Sequence, residues 1–176
     1  VALGVGLGQR RGMEASRLWD VGIAALIGGV VGGRLEYVRT HWRTFAGDPT
    51  ASVALRDGGM VFYGGLVVAV IAMVGVARWR RLPVLRMLDA FAPGVPLAHA
   101  IGRMGCFAAG CCYGLPTDVP WAVTFPPGSE APPGVPLHPT QLYEAGWNLL
   151  CGVALLAFWR RRPADGRVFG AMLLVY

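Results

Sequence analysis

The chain contains apolar stretches that are long enough to cross a lipid bilayer, and no other feature of the sequence restricts its fold as strongly. Full-length stretches lie at about 20–38, 59–77, 89–109 and 142–159, and shorter apolar runs lie at 1–8 and 168–176. A helix needs about 20 mostly apolar residues to cross roughly 30 Å of hydrocarbon. The sequence therefore predicts an all-α fold, a polytopic transmembrane helix bundle that forms a single domain over 1–176 and is cut within a span at each end.

Composition argues against burying these stretches in the core of a soluble domain. Hydrophobic residues make up 55% of the chain and charged residues only 15%, whereas a typical soluble domain has roughly 25% charged residues. The chain also contains 26 glycines, and small residues let transmembrane helices approach one another closely. The same composition excludes intrinsic disorder.

The basic residues indicate how the helices are oriented. All 16 are arginine, and most of them occur in short clusters between the apolar stretches, without interleaved aromatic residues. This pattern is typical of topology signals and not of a nucleic-acid surface, so no nucleic-acid partner is predicted. Placing the clusters in the cytoplasm leaves 39–58 and 110–141 as periplasmic loops. The longer loop has eight prolines and no arginine, which predicts a structured cap.

Arg103 is a charged residue inside a predicted span, where a charge costs about 2.5–3.5 kcal/mol on insertion scales. Gly102 and Gly105 flank it and would let a ligand approach the backbone. A guanidinium binds phosphate through two parallel hydrogen bonds, so a phospholipid head group is one predicted partner. An ion pair with Glu144, at the start of the fourth full span, is the alternative.

Several other polar residues lie near the span ends, and three of them permit two interpretations. Arg34 is either functional or extends towards the interface beside an aromatic belt residue. Tyr63 is either an interfacial tyrosine or faces a ligand. Thr140 is predicted to cap the fourth span, and His138 and Gln141 lie beside it at the start of that span. Glu144, one turn further along, either pairs with Arg103 or acts as a base.

The cysteines leave several interpretations open. Cys106, Cys111 and Cys112 together with His138 suggest zinc, but their spacing matches no common paired-cysteine pattern, so neither a metal nor a cofactor is predicted. A disulfide involving Cys111 or Cys112 is a second interpretation. Apolar packing is the third, and is favoured for Cys106 and Cys151.

Three motifs occur in order along the chain, at Asp57 to Leu66, at Gly102 to Asp118 and at His138 to Glu144. Together they closely resemble the prolipoprotein diacylglyceryl transferase family. The resemblance covers nearly all of the chain and implies a fragment of a seven-span enzyme of the bacterial inner (plasma) membrane, with its active site towards the outer leaflet.

The resemblance also implies the reaction and the partners. The diacylglyceryl group of phosphatidylglycerol passes to the thiol of the lipobox cysteine in the signal peptide of a prolipoprotein, and glycerol phosphate is released. The product is a thioether, and the reaction is the first step of bacterial lipoprotein maturation. The implied partners are phosphatidylglycerol, the prolipoprotein signal peptide and membrane lipids, with no cofactor.

Carried over by position, Arg103 falls on the family's essential membrane arginine, which would hold the phosphate and stabilise charge on the leaving group. Tyr63 stands where the family usually has a histidine, the favoured general base. Because a phenol ordinarily keeps its proton up to about pH 10, Glu144 or the phosphate itself is the alternative acceptor. The predicted catalytic residues are therefore Arg103, Tyr63 and Glu144.

The same correspondence predicts a set of phosphatidylglycerol-binding residues. They are Arg103, Arg34, Gly58, Gly64, Gly102, Gly105, Gly114, His138, Gln141, Tyr143 and Tyr176. Cys106 stands at a usual asparagine and Cys111 at a usual acidic residue.

Two other functions remain as alternatives. One is a catalytically inactive relative that binds phosphatidylglycerol or lipoprotein signal peptides in the Arg103 cleft. The other is a membrane thiol-redox or metal protein that uses Cys106, Cys111 and Cys112.

Overall fold

The computed structural model describes residues 1–45, 52–53 and 59–175. The described part of the chain is helical, and its only β structure consists of two isolated bridges. The helices are α1 (Ala2–Arg10), α2 (Ala15–Thr40), α3 (Trp42–Phe45), α4 (Phe62–Trp79), α5 (Val84–Phe91), α6 (Gly94–Ala109), α7 (Thr140–Arg160) and α8 (Arg167–Val175). The predicted all-α class is therefore confirmed. The predicted binding residues Gly58 and Tyr176 lie outside the described residues.

Three of the described helices, α2, α4 and α7, are long and apolar enough to cross a membrane. They overlap the predicted spans at 20–38, 59–77 and 142–159. The predicted span at 89–109 contains two helices instead of one, because α5 ends at Phe91 and α6 begins at Gly94. Pro93 lies at the break, and a proline, which has no N–H group to donate, commonly interrupts a helix.

The chain divides into two compact units, Val1–Leu88 and Asp89–Tyr176. In the first unit α2 packs along α4 and α1 packs against α2. The α2–α4 contact depends on glycine. A Cβ atom added at Gly32 would lie 2.5 Å from both the carbonyl oxygen of Gly64 and Cβ of Val68. The two backbones therefore approach too closely for a larger residue at Gly32, which is the helix-contact use of glycine that the sequence predicts.

Replacing Gly32 by Ala is expected to lower the free energy of unfolding by about 1–3 kcal/mol, the usual cost of overpacking a close contact. The added methyl group would meet a backbone carbonyl, which cannot rotate away. Gly29→Ala is the matched control on the same helix, because a Cβ there would meet only the Ala69 methyl at 4.0 Å. Thermal unfolding in detergent measures both variants, and equal unfolding temperatures would show that the α2–α4 backbones are not in close contact.

Charged side chains join α2 and α4 at the end of the unit that carries the predicted cytoplasmic arginines. Arg80 forms a 2.5 Å ion pair with Asp20, and Arg17 donates to the Arg80 carbonyl oxygen at 3.2 Å. Arg17 also pairs with Glu14 at 2.7 Å. A hydrogen bond from Ser16 and the charge of Arg17 lower the pKa of Glu14. Exposed pairs of this kind contribute little to the stability of a fold.

In the second unit α6 packs against α7, and α7 packs against α8. The buried carboxylate of Asp89 holds the start of α8, because it accepts hydrogen bonds from the N–H groups of Gly166 and Phe169, both at 2.8 Å. Acidic groups are favourable at a helix N-terminus, where backbone N–H groups lack partners within the helix.

The segment between α6 and α7 is structured, as its predicted function as a cap requires. Phe125, Ala131 and Leu137 form a small buried core, against which Phe107 of α6 packs. Leu137 pairs with Val123 through two backbone hydrogen bonds of 3.0 Å. This core fixes the segment over the end of α6 and the beginning of α7.

Candidate active site

Arg103 and Glu144 form an ion pair in the second unit, with 2.6 Å between Nη2 of Arg103 and Oε2 of Glu144. The packing of α6 on α7 brings the two residues together. The side chains are 22% and 45% exposed respectively, so a ligand can reach the pair. Nε of Arg103 is buried and has no hydrogen-bond partner among the described residues. Buried donors normally have partners, so this N–H group is available to an anion.

His99 belongs to the same group, although the sequence analysis did not identify it. It lies one turn before Arg103 on α6, and the charges of both Arg103 and Glu144 act on it. The imidazole is partly buried. The sequence signal was the spacing of four residues between His99 and Arg103, which puts both on one helix face.

The N-terminus of α7 holds the loop that follows α6. Thr140 was predicted to cap α7, and this prediction is wrong, because Thr140 is the first helical residue and the N-cap position, Pro139, offers no side-chain hydrogen bond. Oγ1 of Thr140 instead donates to the Cys112 carbonyl oxygen at 2.9 Å. The fully buried Gln141 donates through Nε2 to the Cys111 carbonyl oxygen at 2.6 Å. Both side chains fasten the loop to the helix.

Three more of the predicted binding residues lie close together at the N-terminus of α7. Nδ1 of His138 lies 3.2 Å from the Tyr143 hydroxyl, which accepts a 2.6 Å hydrogen bond from Nε1 of Trp121. The N–H of Gly114 donates to the His138 carbonyl oxygen at 3.0 Å. The structure therefore brings Gly114, His138 and Tyr143 together, and their predicted contact with phosphatidylglycerol stays a prediction.

Gly102 and Gly105 lie on the exposed surface of α6, where an added Cβ atom would meet nothing within 4 Å among the described residues. Backbone packing within the described residues therefore does not require glycine at either position. Their predicted contact with phosphatidylglycerol remains a prediction.

The end of α6 brings two cysteines together. Gly110 ends the helix in the left-handed conformation, with φ of 69°. Its N–H donates to the Phe107 carbonyl oxygen at 3.2 Å, and the N–H of Cys111 donates to the Cys106 carbonyl oxygen at 3.1 Å. This pair of bonds is the Schellman motif, in which the side chains corresponding to Cys106 and Cys111 are normally in contact.

Cys112 completes a cluster of three thiols. The sulfur atoms of Cys106, Cys111 and Cys112 all lie within 4.8 Å of one another, and all four cysteines of the chain are free. Burial raises the pKa of Cys111 to about 11, and hydrogen bonds with Cys106 and Cys112 act in the same direction. Cys111 is therefore a neutral thiol near pH 7.

In the first unit the buried Arg34 holds backbone carbonyl groups. Its Nε donates to the Ser52 oxygen at 2.7 Å and its Nη1 to the Gly59 oxygen at 3.1 Å. The guanidinium also lies 5.5 Å from the ring centroids of Tyr37 and Phe45. The side chain is only 8% exposed and holds the chain that leads to α4. Both interpretations of Arg34, a functional residue and an arginine that extends towards the interface, stay predictions.

Tyr63 and Gly64 lie in the first turn of α4, in the same unit. Tyr63 is 75% exposed, and its ring makes an edge contact with Phe62. Gly64 faces α2, where an added Cβ atom would meet the Glu36 side chain and lie 2.8 Å from the Gly32 oxygen. Gly64 thus serves helix packing, and its predicted binding function, like that of Tyr63, stays a prediction.

The family model for prolipoprotein diacylglyceryl transferase matches residues 1–176. Relatives named phosphatidylglycerol–prolipoprotein diacylglyceryl transferase are 35% identical in Clostridium tetani, over 96% of this chain and 67% of the relative, and 38% identical in Bordetella parapertussis, over 99% and 69%. A relative from Clostridium perfringens, named phosphatidylglycerol–prolipoprotein diacylglyceryl transferase 2, is 33% identical over 96% of this chain and 66% of the relative. The chain spans about two thirds of the length of these relatives.

Proposed function

We propose, since the chain belongs to the prolipoprotein diacylglyceryl transferase family, that it is the catalytic part of an enzyme that transfers the diacylglyceryl group of phosphatidylglycerol to the thiol of a lipobox cysteine. The thiol sulfur forms a bond to the glyceryl carbon, the bond from that carbon to the phosphate oxygen breaks, and glycerol phosphate leaves. The observation that carries the proposal is the Arg103–Glu144 pair, whose arginine keeps a buried N–H group without a partner among the described residues.

Arg103 is proposed to hold the phosphate of the lipid. Its guanidinium is already oriented by Glu144 through Nη2, which leaves Nε to donate to a phosphate oxygen. As the bond from carbon to oxygen breaks, negative charge grows on the leaving phosphate, and a fixed cation in a site of low polarity stabilises that charge strongly. The paired carboxylate keeps the arginine in position before the substrate binds.

The surface beside the pair suits an acyl chain. An open apolar groove of about 420 Å³ begins one turn after Glu144 on α7 and continues against α8. Its lining includes Trp147, Leu150, Phe158 and Val175. A lipid whose phosphate binds Arg103 would place an acyl chain along this groove, which favours a phospholipid over a soluble phosphate ester as the substrate.

The thiol proton needs an acceptor, and we assign this function to His99. Glu144 holds Arg103 at 2.6 Å, and neutralising its carboxylate would release the arginine. The ordinary pKa of an imidazole is also closer to that of a thiol than a carboxylate's is. His99 lies one turn from Arg103 on the same helix and is only partly buried, so it is the acceptor that we propose.

Tyr63→Phe is expected to leave the transfer rate within about threefold of the wild-type rate, because a general base contributes about 10²–10⁴-fold and we assign that function to His99. Within the first unit the described ring contact of Tyr63 is with Phe62. Initial rates at neutral pH measure the effect. A loss of transfer rate of 100-fold or more would instead assign the general-base function to Tyr63, as its position in the motif predicts.

The proposed location is the bacterial inner membrane, with the site towards the outer leaflet. Three long apolar helices among the described residues support a membrane protein, and the arginine clusters at 9–19, 78–88 and 160–167 support the orientation. Arg34 contributes indirectly on this proposal, by holding the backbone at Ser52 and Gly59.

The test is transfer from phosphatidylglycerol that carries a label in its diacylglyceryl part to a lipobox peptide, with the full-length protein in nanodiscs. A labelled thioether on the peptide cysteine is the expected product. A peptide whose cysteine is replaced by serine is the matched control and should remain unlabelled. If no product forms while the labelled lipid still binds, the chain is a catalytically inactive relative that binds phosphatidylglycerol. Tyr63 at the usual histidine position favours this alternative.

A further inference from the structure

The thiol cluster of Cys106, Cys111 and Cys112 is not used by the proposed transfer reaction. The three sulfur atoms lie within 4.8 Å of one another, and Cys106 and Cys111 are only partly buried, while Cys112 is exposed. The cluster is therefore accessible from outside the helices. Cys151, the fourth cysteine, is buried on α7 and is not part of the group.

The backbone at the cluster is more constrained than apolar packing requires. The Schellman motif at the end of α6 accounts for the contact between Cys106 and Cys111. It does not account for Cys112, which has φ of 56°. A residue other than glycine in this left-handed region costs of order 1–3 kcal/mol, and such residues concentrate at functional sites.

The spacing of the sulfur atoms fits a single bound ion. A metal–sulfur bond is about 2.3 Å long, so three sulfurs in a trigonal plane around one ion lie about 4 Å apart. Compared with the 4.8 Å limit on the present separations, the cluster would have to contract by less than about 1 Å. Changes of side-chain torsion are sufficient for such a movement.

We propose that Cys106, Cys111 and Cys112 form a three-thiolate binding site for Cu(I). Thiolate ligands select soft ions such as Cu(I). Zinc in structural sites is almost always bound by four ligands, whereas the described group offers three ligand atoms. The imidazole of the same loop, His138, has its Nδ1 3.2 Å from the Tyr143 hydroxyl and is not a member of the group.

Binding is an exchange of ions without electron transfer. Three S–H bonds break, three Cu–S bonds form, three protons pass to the solvent, and copper stays in the +1 state. The product carries net negative charge, and Arg103, three residues before Cys106 on α6, supplies a positive charge on the same helix face. The ion would join Cys106 of α6 to the loop that Gln141 and Thr140 of α7 already hold through the carbonyl groups of Cys111 and Cys112.

The experiment is an anaerobic titration of the purified full-length protein with Cu(I) in the presence of a coloured Cu(I) chelator. One copper ion per chain is expected to resist the chelator, with three sulfur neighbours at about 2.3 Å by X-ray absorption. Replacing any one of Cys106, Cys111 and Cys112 by Ala is expected to weaken retention by at least about tenfold. Cys151→Ala, the matched control, should retain copper like the wild type.

A second measurement does not require the variants to fold. When the wild-type protein is alkylated with and without Cu(I), the ion should protect Cys106, Cys111 and Cys112 and leave the labelling of Cys151 unchanged. Failure to retain copper, retention that survives loss of any one of the three thiols, or tighter retention of Zn(II) than of Cu(I) would each overturn the proposal. None of these outcomes depends on transferase activity.

Discussion

Replacing Arg103 by Ala is expected to reduce transfer to a lipobox peptide by at least about 10³-fold in kcat/KM, because loss of one preorganised donor already costs about 10²–10³-fold. The change removes the guanidinium and leaves the Glu144 carboxylate without its partner at 2.6 Å. The site would then repel a phosphate that it formerly attracted. Arg103→Lys should recover only part of the rate, since an ammonium keeps the charge but not the fixed fork of donors.

The control for this prediction is Arg17→Ala. Arg17 forms an ion pair of almost the same length, 2.7 Å, with Glu14, and both side chains are exposed. The variant removes the same charge from the chain and should keep the wild-type transfer rate. Thermal unfolding separates loss of the site from loss of the fold. A folded Arg103→Ala protein that transfers at more than a tenth of the wild-type rate would contradict the phosphate-binding function of Arg103.

The features that could be predicted from the sequence are those with a large energetic cost in a membrane. Long apolar stretches have few alternatives to helices in lipid, and the all-α class and the family are both confirmed. Arg103 and Glu144 could be paired in advance, because a charge inside a span requires a partner. The helix-contact use of Gly32 follows from the same physics, since small residues are what allow close packing in lipid.

The features that could not be predicted depend on local backbone geometry. Mean hydropathy is taken over many residues and does not detect the break at Pro93, so the sequence predicts one span at 89–109. A left-handed residue at Gly110 brings Cys111 back onto Cys106, which spacing along the chain does not show. Thr140 has the residue type of a cap, but the Cys112 carbonyl group competes for its hydroxyl.

His99 shows a different limit. A single histidine on an apolar helix is usually a packed residue, and only its spacing of four residues from Arg103 marks His99 in the sequence. It becomes a candidate when the packing of α6 on α7 brings Glu144 to Arg103, so that the charges of both act on the ring. Tyr63, by contrast, is predicted to be catalytic from its position in the motif, yet its described ring contact is with Phe62 alone.

Replacing His99 by Gln is expected to lower the transfer rate at pH 7 by about 100-fold, the lower end of the usual contribution of a general base. Glutamine keeps a polar side chain of similar size but cannot accept the thiol proton. Binding of phosphatidylglycerol should be unchanged, because Arg103 and Glu144 keep their ion pair. The measurement is the initial rate from pH 6 to pH 10, alongside a lipid-binding assay.

The pH profile distinguishes a proton acceptor from a residue that only supports the fold. A cysteine thiol ordinarily ionises with a pKa of about 8.5, so above that pH the peptide supplies its own thiolate and no longer needs a base. The deficit of His99→Gln should therefore shrink as the pH rises through about 8.5. Glu144→Gln is the comparison variant: it disturbs the position of Arg103, so its deficit should persist at high pH. A His99→Gln deficit that is the same at every pH would assign His99 a structural function and leave the proton to Glu144 or to the phosphate.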